Sequence, residues 1–85
     1  VASVLLRSAV GGVLRAERKS QNKTLLRVSS DAGVSLGFLS EVERGTKEVS
    51  SELLQAVCSA LNIPLSKVLI TAGKKAKILE SQDQT

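Results

Sequence analysis

The sequence predicts a compact all-α domain built from five short helices. Three observations lead there. Apolar residues recur at three- and four-residue intervals in several separate stretches. The composition is 42% hydrophobic with one aromatic residue and one proline, which favours helices packed through aliphatic side chains. Two short amphipathic stretches, Leu25–Ala32 and residues 36–44, flank a Gly33-Val34-Ser35 turn. Two short helices bent around a glycine make a helix-turn-helix, whose second helix usually lies in a DNA major groove.

The first helix is expected over about residues 3–20. Leu5, Leu6, Ala9, Val10, Val13 and Leu14 form its apolar stripe, and residues 17–19 turn outward. Gly11-Gly12 inside it costs about 1 kcal/mol per glycine relative to alanine. Either the helix is simply inefficient there, or another backbone approaches closely. After the polar break Gln21-Asn22-Lys23, Thr24 caps the second helix, Leu25–Ala32. Gly33 supplies a position where φ > 0 is free of strain, and Val34 re-enters the core. Ser35 caps the third helix, residues 36–44, and Gly45 ends it in the left-handed conformation.

Residues 46–49 read as a loop, and Ser50 or Ser51 caps the fourth helix. Its Leu53, Leu54, Val57, Cys58 and Leu61 make one buried face that ends at Asn62. Ile63 belongs to the core, and Pro64 starts the fifth helix, through Leu65, Val68, Leu69 and Ile70. Gly73 breaks that pattern. Residues 1–72 are therefore expected to form the domain. Residues 73–85 are expected to form either a frayed polar tail or a sixth, dimerising helix carrying Ile78 and Leu79.

Charge and composition exclude several functions. The chain carries 12 Lys and Arg against 8 Asp and Glu, a formal +4, which favours anionic partners. Residues 1–23 hold Arg7, Arg15, Arg18, Lys19 and Lys23 against Glu17, while residues 24–45 hold only Arg27 and Arg44 against Asp31, Glu41 and Glu43. The bent unit is thus slightly acidic, and bulk attraction for an anion must come from its flanks. One cysteine cannot form an internal disulfide, and Cys58, four residues from Leu54, reads as a small core residue; a reducing, cytoplasmic compartment is expected. No apolar run approaches the ~18 residues a membrane span needs, and the N-terminal apolar stretch, interrupted by Arg7, reads as a helix and not a signal peptide. With no histidine and no tyrosine, and with Asp31 and Asp83 as the only aspartates, no catalytic, metal or cofactor site is expected.

The order of these signals resembles the Cro/repressor-type (XRE) helix-turn-helix family. Its pattern has a threonine opening the second helix, a Gly-Val-Ser turn, and Ser-x-hydrophobic-Glu-Arg-Gly closing the third. Here these are Thr24, Gly33-Val34-Ser35 and Ser40-x-Val42-Glu43-Arg44-Gly45. The likeness continues through SSELLQAVCSALNIPLSKVL and covers about residues 5–70. It implies the five-helix lambda-repressor-like fold. The run SLGFLSEVERGTKEVSSELL is similar to a branch of the family that regulates Clp protease genes. Two departures stand out: Leu25 replaces a frequent glutamine that meets DNA phosphate, and Ser29 replaces a frequent alanine at the helix crossing, where its hydroxyl can bond a carbonyl four residues earlier.

Periodicity turns Val34, Leu39 and Val42 inward and leaves Leu36, Gly37, Ser40 and Glu41 outside. By resemblance, these outer positions address base edges. Leu36 can touch a thymine methyl, Ser40 can donate or accept, and Glu41 can accept from cytosine, unless it is merely a solvated charge. Phe38, the only aromatic, either wedges into the core edge or lies against a thymine methyl or the sugar-phosphate wall. Thr24, Arg27, Ser35, Arg44, Thr46 and Lys47 surround the reading helix and are the candidates for phosphate contact. The family's glutamate in this motif pairs with an arginine of the first helix, which implies a structural Arg18–Glu43 ion pair.

The function expected is sequence-specific binding of double-stranded DNA by a homodimer on a palindromic site. The resemblance further implies activation of protease and stress genes through contact with RNA polymerase. The alternative is an antitoxin-like protein-binding module of the same fold.

Overall fold

Five helices follow one another in the order α1 (Leu6–Ser20), α2 (Leu25–Ala32), α3 (Leu36–Glu43), α4 (Ser51–Ala60) and α5 (Leu65–Gln82). The computed structural model describes residues 4–82, and within them α1 starts at Leu6, later than expected, because Leu5 is its extended N-cap. α1 packs against α5 on one side and α3 on the other, while α2 bridges α3 and α4. Their shared interior is aliphatic: Leu14, Val28, Leu39, Val42, Val57, Leu61 and Val68 are all fully buried.

Local chemistry explains the boundaries. The hydroxyls of Thr24, Ser35 and Ser50 accept the backbone N–H groups of Arg27, Phe38 and Leu53, so three of the helices begin on a side-chain cap. Gly33 stands at φ 71° with its N–H on the carbonyls of Ser29 and Ser30, which turns the chain sharply between α2 and α3. Asn22 and Asn62 do the same work at φ 56° and 57°, closing the ends of α1 and α4. Gln21 Nε2 and Lys23 Nζ then reach across to the carbonyls of Leu61 and Ala60, satisfying the C-terminus of α4.

The glycine pair of α1 splits into two cases. A Cβ at Gly11 would fall on the Val42 carbonyl oxygen and lie 3.0 Å from that of Glu43, so α1 and α3 touch backbone to backbone there. At Gly12 it would meet only the flexible end of Lys75. Close approach is therefore the reason for Gly11.

Several expectations need correction. Leu5 and Leu6 are 51% and 67% exposed, because the start of α1 runs past the core of the described residues. Leu53 is only half-buried, and Leu69 and Ile70 are exposed on the outer side of α5. Helix α5 does not break at Gly73, and no separate sixth helix follows it within the described residues. A glycine weakens a helix without stopping it, and Val68 and Ala72, packed inward, carry the turn through. The Ser29 hydroxyl bonds the carbonyl of Leu26, three residues back and not four. Among the described residues no single helix is long and apolar enough to cross a membrane.

Lys67 Nζ lies 2.7 Å from Glu17 Oε1 and joins α5 to α1. That hydrogen bond, opposed by burial and aided by the Lys67 charge, holds the Glu17 carboxyl below its ordinary range. A depressed folded pKa stabilises above the unfolded value and ceases to do so as pH falls through the folded one. Glu17→Gln should therefore cost stability at neutral pH, by less than about 1 kcal/mol for so exposed a pair, and cost none in strong acid.

Gly11→Ala should lower the melting temperature sharply, at about 1–3 kcal/mol for an overpacked contact. Gly73→Ala, whose Cβ would enter open space, should raise stability by about 0.5–1 kcal/mol. Paired thermal melts check both.

Candidate nucleic-acid interface

Helix α3 is held from behind. Leu39 and Val42 point into the core, and Val34 and Phe38 pack half-buried against it. That leaves Leu36 and Gly37 exposed on the outer face, with Ser40 and Glu41 half-exposed beside them. A Cβ at Gly37 would meet nothing, so no contact among the described residues requires glycine there. Phe38 leans on the core edge while keeping part of its ring outside.

The angle of α3 is set by one ion pair. Arg18 Nε donates to Glu43 Oε2 at 2.8 Å, and Arg18 Nη2 to Glu43 Oε1 at 2.9 Å. The remaining Nη1 donates to the carbonyl of Lys23 at 2.9 Å, so a single guanidinium ties α1, α3 and the turn before α2. Both side chains are largely withdrawn from water, 13% and 6% exposed. The Glu43 carboxylate raises the Arg18 pKa further above its usual value, against burial, which lowers it. Glu43 thus has both oxygens occupied, and among the described residues no group of His, Cys, Asp or Glu could hold a metal ion.

The surrounding polar residues are placed as follows. The Thr24 and Ser35 hydroxyls accept a backbone N–H at the starts of α2 and α3, and each keeps an O–H to donate. Arg27 Nε donates to Asp31 on the exposed side of α2. The Thr46 hydroxyl donates to the Glu41 carbonyl at 3.2 Å, fastening the loop that follows α3. Arg44 and Lys47 are exposed and paired to no carboxylate among the described residues. Cys58 is buried, and burial raises its thiol pKa, as suits a packing residue.

Sequence reasoning passed over Arg15. It lies on α1, one turn before Arg18, and lines a cleft shared with Ser40 and Arg44 of the α3 end. The i, i+3 spacing of two arginines was the available signal.

The pattern of the helix-turn-helix family matches residues 14–68, from the middle of α1 into α5. The chain belongs to that helix-turn-helix family, and to its XRE type. Among its relatives, the transcriptional regulator ClgR of Mycobacterium tuberculosis is 60% identical over 73 residues. That alignment covers 86% of this chain and 65% of the relative, so the chain spans somewhat less than two thirds of that protein's length. The crystal structure of the clp gene regulator ClgR from Corynebacterium glutamicum superposes with a TM-score of 0.92 at 44% identity, over 96% of this chain and 87% of that one. The restriction-modification controller protein C.Esp1396I shares the fold at 16% identity, with a TM-score of 0.79 over 87% of this chain and 97% of that one.

Glu43→Ala should leave the Arg18 charge buried without its partner, at about 3–5 kcal/mol. Melting temperature and DNA affinity are expected to fall together. A loss of affinity at an unchanged melting temperature would contradict a structural role.

Proposed function

We propose that this chain is a sequence-specific DNA-binding transcription regulator that acts as a homodimer. The observation that supports it best is the outer face of α3. It is held by a buried ion pair, and it carries a glycine that no contact among the described residues demands. In this reading α3 enters the major groove, with Leu36, Gly37, Phe38, Ser40 and Glu41 toward base edges. Thr24, Arg27, Ser35, Arg44, Thr46 and Lys47 contact the sugar-phosphate walls and set the register.

One such unit reads about half a site, so two copies address half-sites about 34–36 Å apart. The end of α5, from residue 73 on, supplies the dimer contact in this reading, consistent with Ile78 and Leu79 standing exposed beyond the body of the domain. The likeness to a regulator named for clp genes favours control of such genes by this chain. In this reading the protein acts in the cytoplasm.

Selection of bound sequences from a random DNA pool, followed by titration in rising salt, tests the reading. A two-fold symmetric motif and an affinity that falls with salt are expected. Binding indifferent to both would remove it, and an antitoxin-like module would then be preferred. Gly37→Ala should stabilise the fold by up to about 1 kcal/mol yet weaken binding to the selected site. An affinity that rose with stability would show that α3 does not approach a groove at that position.

A further inference from the structure

We propose that Arg15 of α1 and Arg44 at the end of α3 jointly clamp one backbone phosphate of the bound duplex, in the cleft between those two helices. The proposal rests on the DNA-binding reading and adds α1 to the interface.

The cleft has a volume of about 230 Å³ and is lined by Arg15, Arg18, Leu25, Ser40, Glu43 and Arg44. Three arginines face a single carboxylate there, an excess of two positive charges. Glu43 is already spent, because both its oxygens are taken by Arg18. Arg18 is held in place as well, with its charge paired to Glu43 and its Nη1 on the Lys23 carbonyl. What remains is Arg15 and Arg44. Both are exposed, and neither is paired to a carboxylate among the described residues, whereas Arg7, Arg27 and Lys67 each hold an acid.

Two unneutralised guanidinium groups on one cleft repel each other, and an anion between them relieves that repulsion. The forked donors of arginine match the oxygens of a phosphate. Leu25 forms an apolar wall that offers no donor and lowers the local dielectric, which strengthens the attraction. Ser40 adds a hydroxyl from α3. Position then selects the source of the phosphate. Ser40 and Arg44 sit one turn apart on the helix proposed to lie in the groove, so the anion beside them is the groove's own wall. The arrangement also answers a deficit. Residues 24–45 carry more acid than base, and α1 brings in positive charge that the bent unit lacks.

The test measures affinity for the selected duplex against salt concentration for the wild-type chain, Arg15→Gln, Arg44→Gln, the double variant and Arg7→Gln. Arg7 is paired with Glu48 outside the cleft and controls for loss of bulk charge. Each cleft variant should lose about three- to tenfold in affinity, with the same base preference and an unchanged melting temperature. The double variant should lower the salt slope by about one per subunit, because a single phosphate is counted once. A slope lower by two would mean separate phosphates and overturn the shared clamp. So would an Arg15→Gln variant indistinguishable from Arg7→Gln while the wild-type chain still binds in a salt-dependent way. A wild-type chain that shows no salt-dependent binding at all removes the DNA reading and this proposal together.

Discussion

The Arg18–Glu43 fork is the interaction on which the rest of this small domain depends. A core made of aliphatic side chains resists exposure but does not by itself choose among nearby helix crossing angles. Two charge-assisted hydrogen bonds of 2.8 and 2.9 Å do choose, because a guanidinium and a carboxylate meet well in one plane only. The third donor on the Lys23 carbonyl extends that choice to the start of α2. Burial makes the arrangement strict: a missing partner would leave an uncompensated charge in the interior.

Around that fork the chain has been shaped for close contact. Gly11 lets α1 press directly on the α3 backbone, where any side chain would strike the Val42 carbonyl. Gly45 stands at φ 75° with the Ser8 backbone close behind it, so the chain leaves α3 without room for a larger residue. The two contacts fix α3 from its inner side near its C-terminus. Its outer face is therefore free for a partner, and the affinity of that face is a matter of its surroundings. Leu36, Gly37 and Ser40 carry no charge and Glu41 is acidic, which suits discrimination more than attraction. Attraction has to come from cations that neighbouring elements bring to the rim.

The element boundaries were largely legible in the sequence, because they are decided within a few residues. Thr24, Ser35 and Ser50 cap, Gly33 and Gly45 turn, and each does so through its own backbone or the next turn of helix. The path of α5 was not legible in the same way. Gly73 looks like a stop from its propensity, but Val68 and Ala72 pack inward and the helix runs on to Gln82. The exposure of Leu5, Leu6, Leu69 and Ile70 was hidden for a related reason. Periodicity tells which residues share a face, and not whether another element reaches that face.

By itself, then, the sequence determined the first four helices, the capped turns, the two faces of α3 and the membership of the fold in a helix-turn-helix class. These rest on local hydrogen bonds and on the helical repeat, both of which operate over a handful of residues. Only the tertiary structure decided that Gly11 exists for a backbone contact, that Arg18 serves three segments at once, and that Arg15 lines the same cleft as Arg44. Apart from the bond of Arg18 to the nearby Lys23 carbonyl, each of these joins residues of α1 to residues some 25 to 32 positions further along the chain. Such pairings are set by how the helices pack around a common core, and that geometry has no local signature.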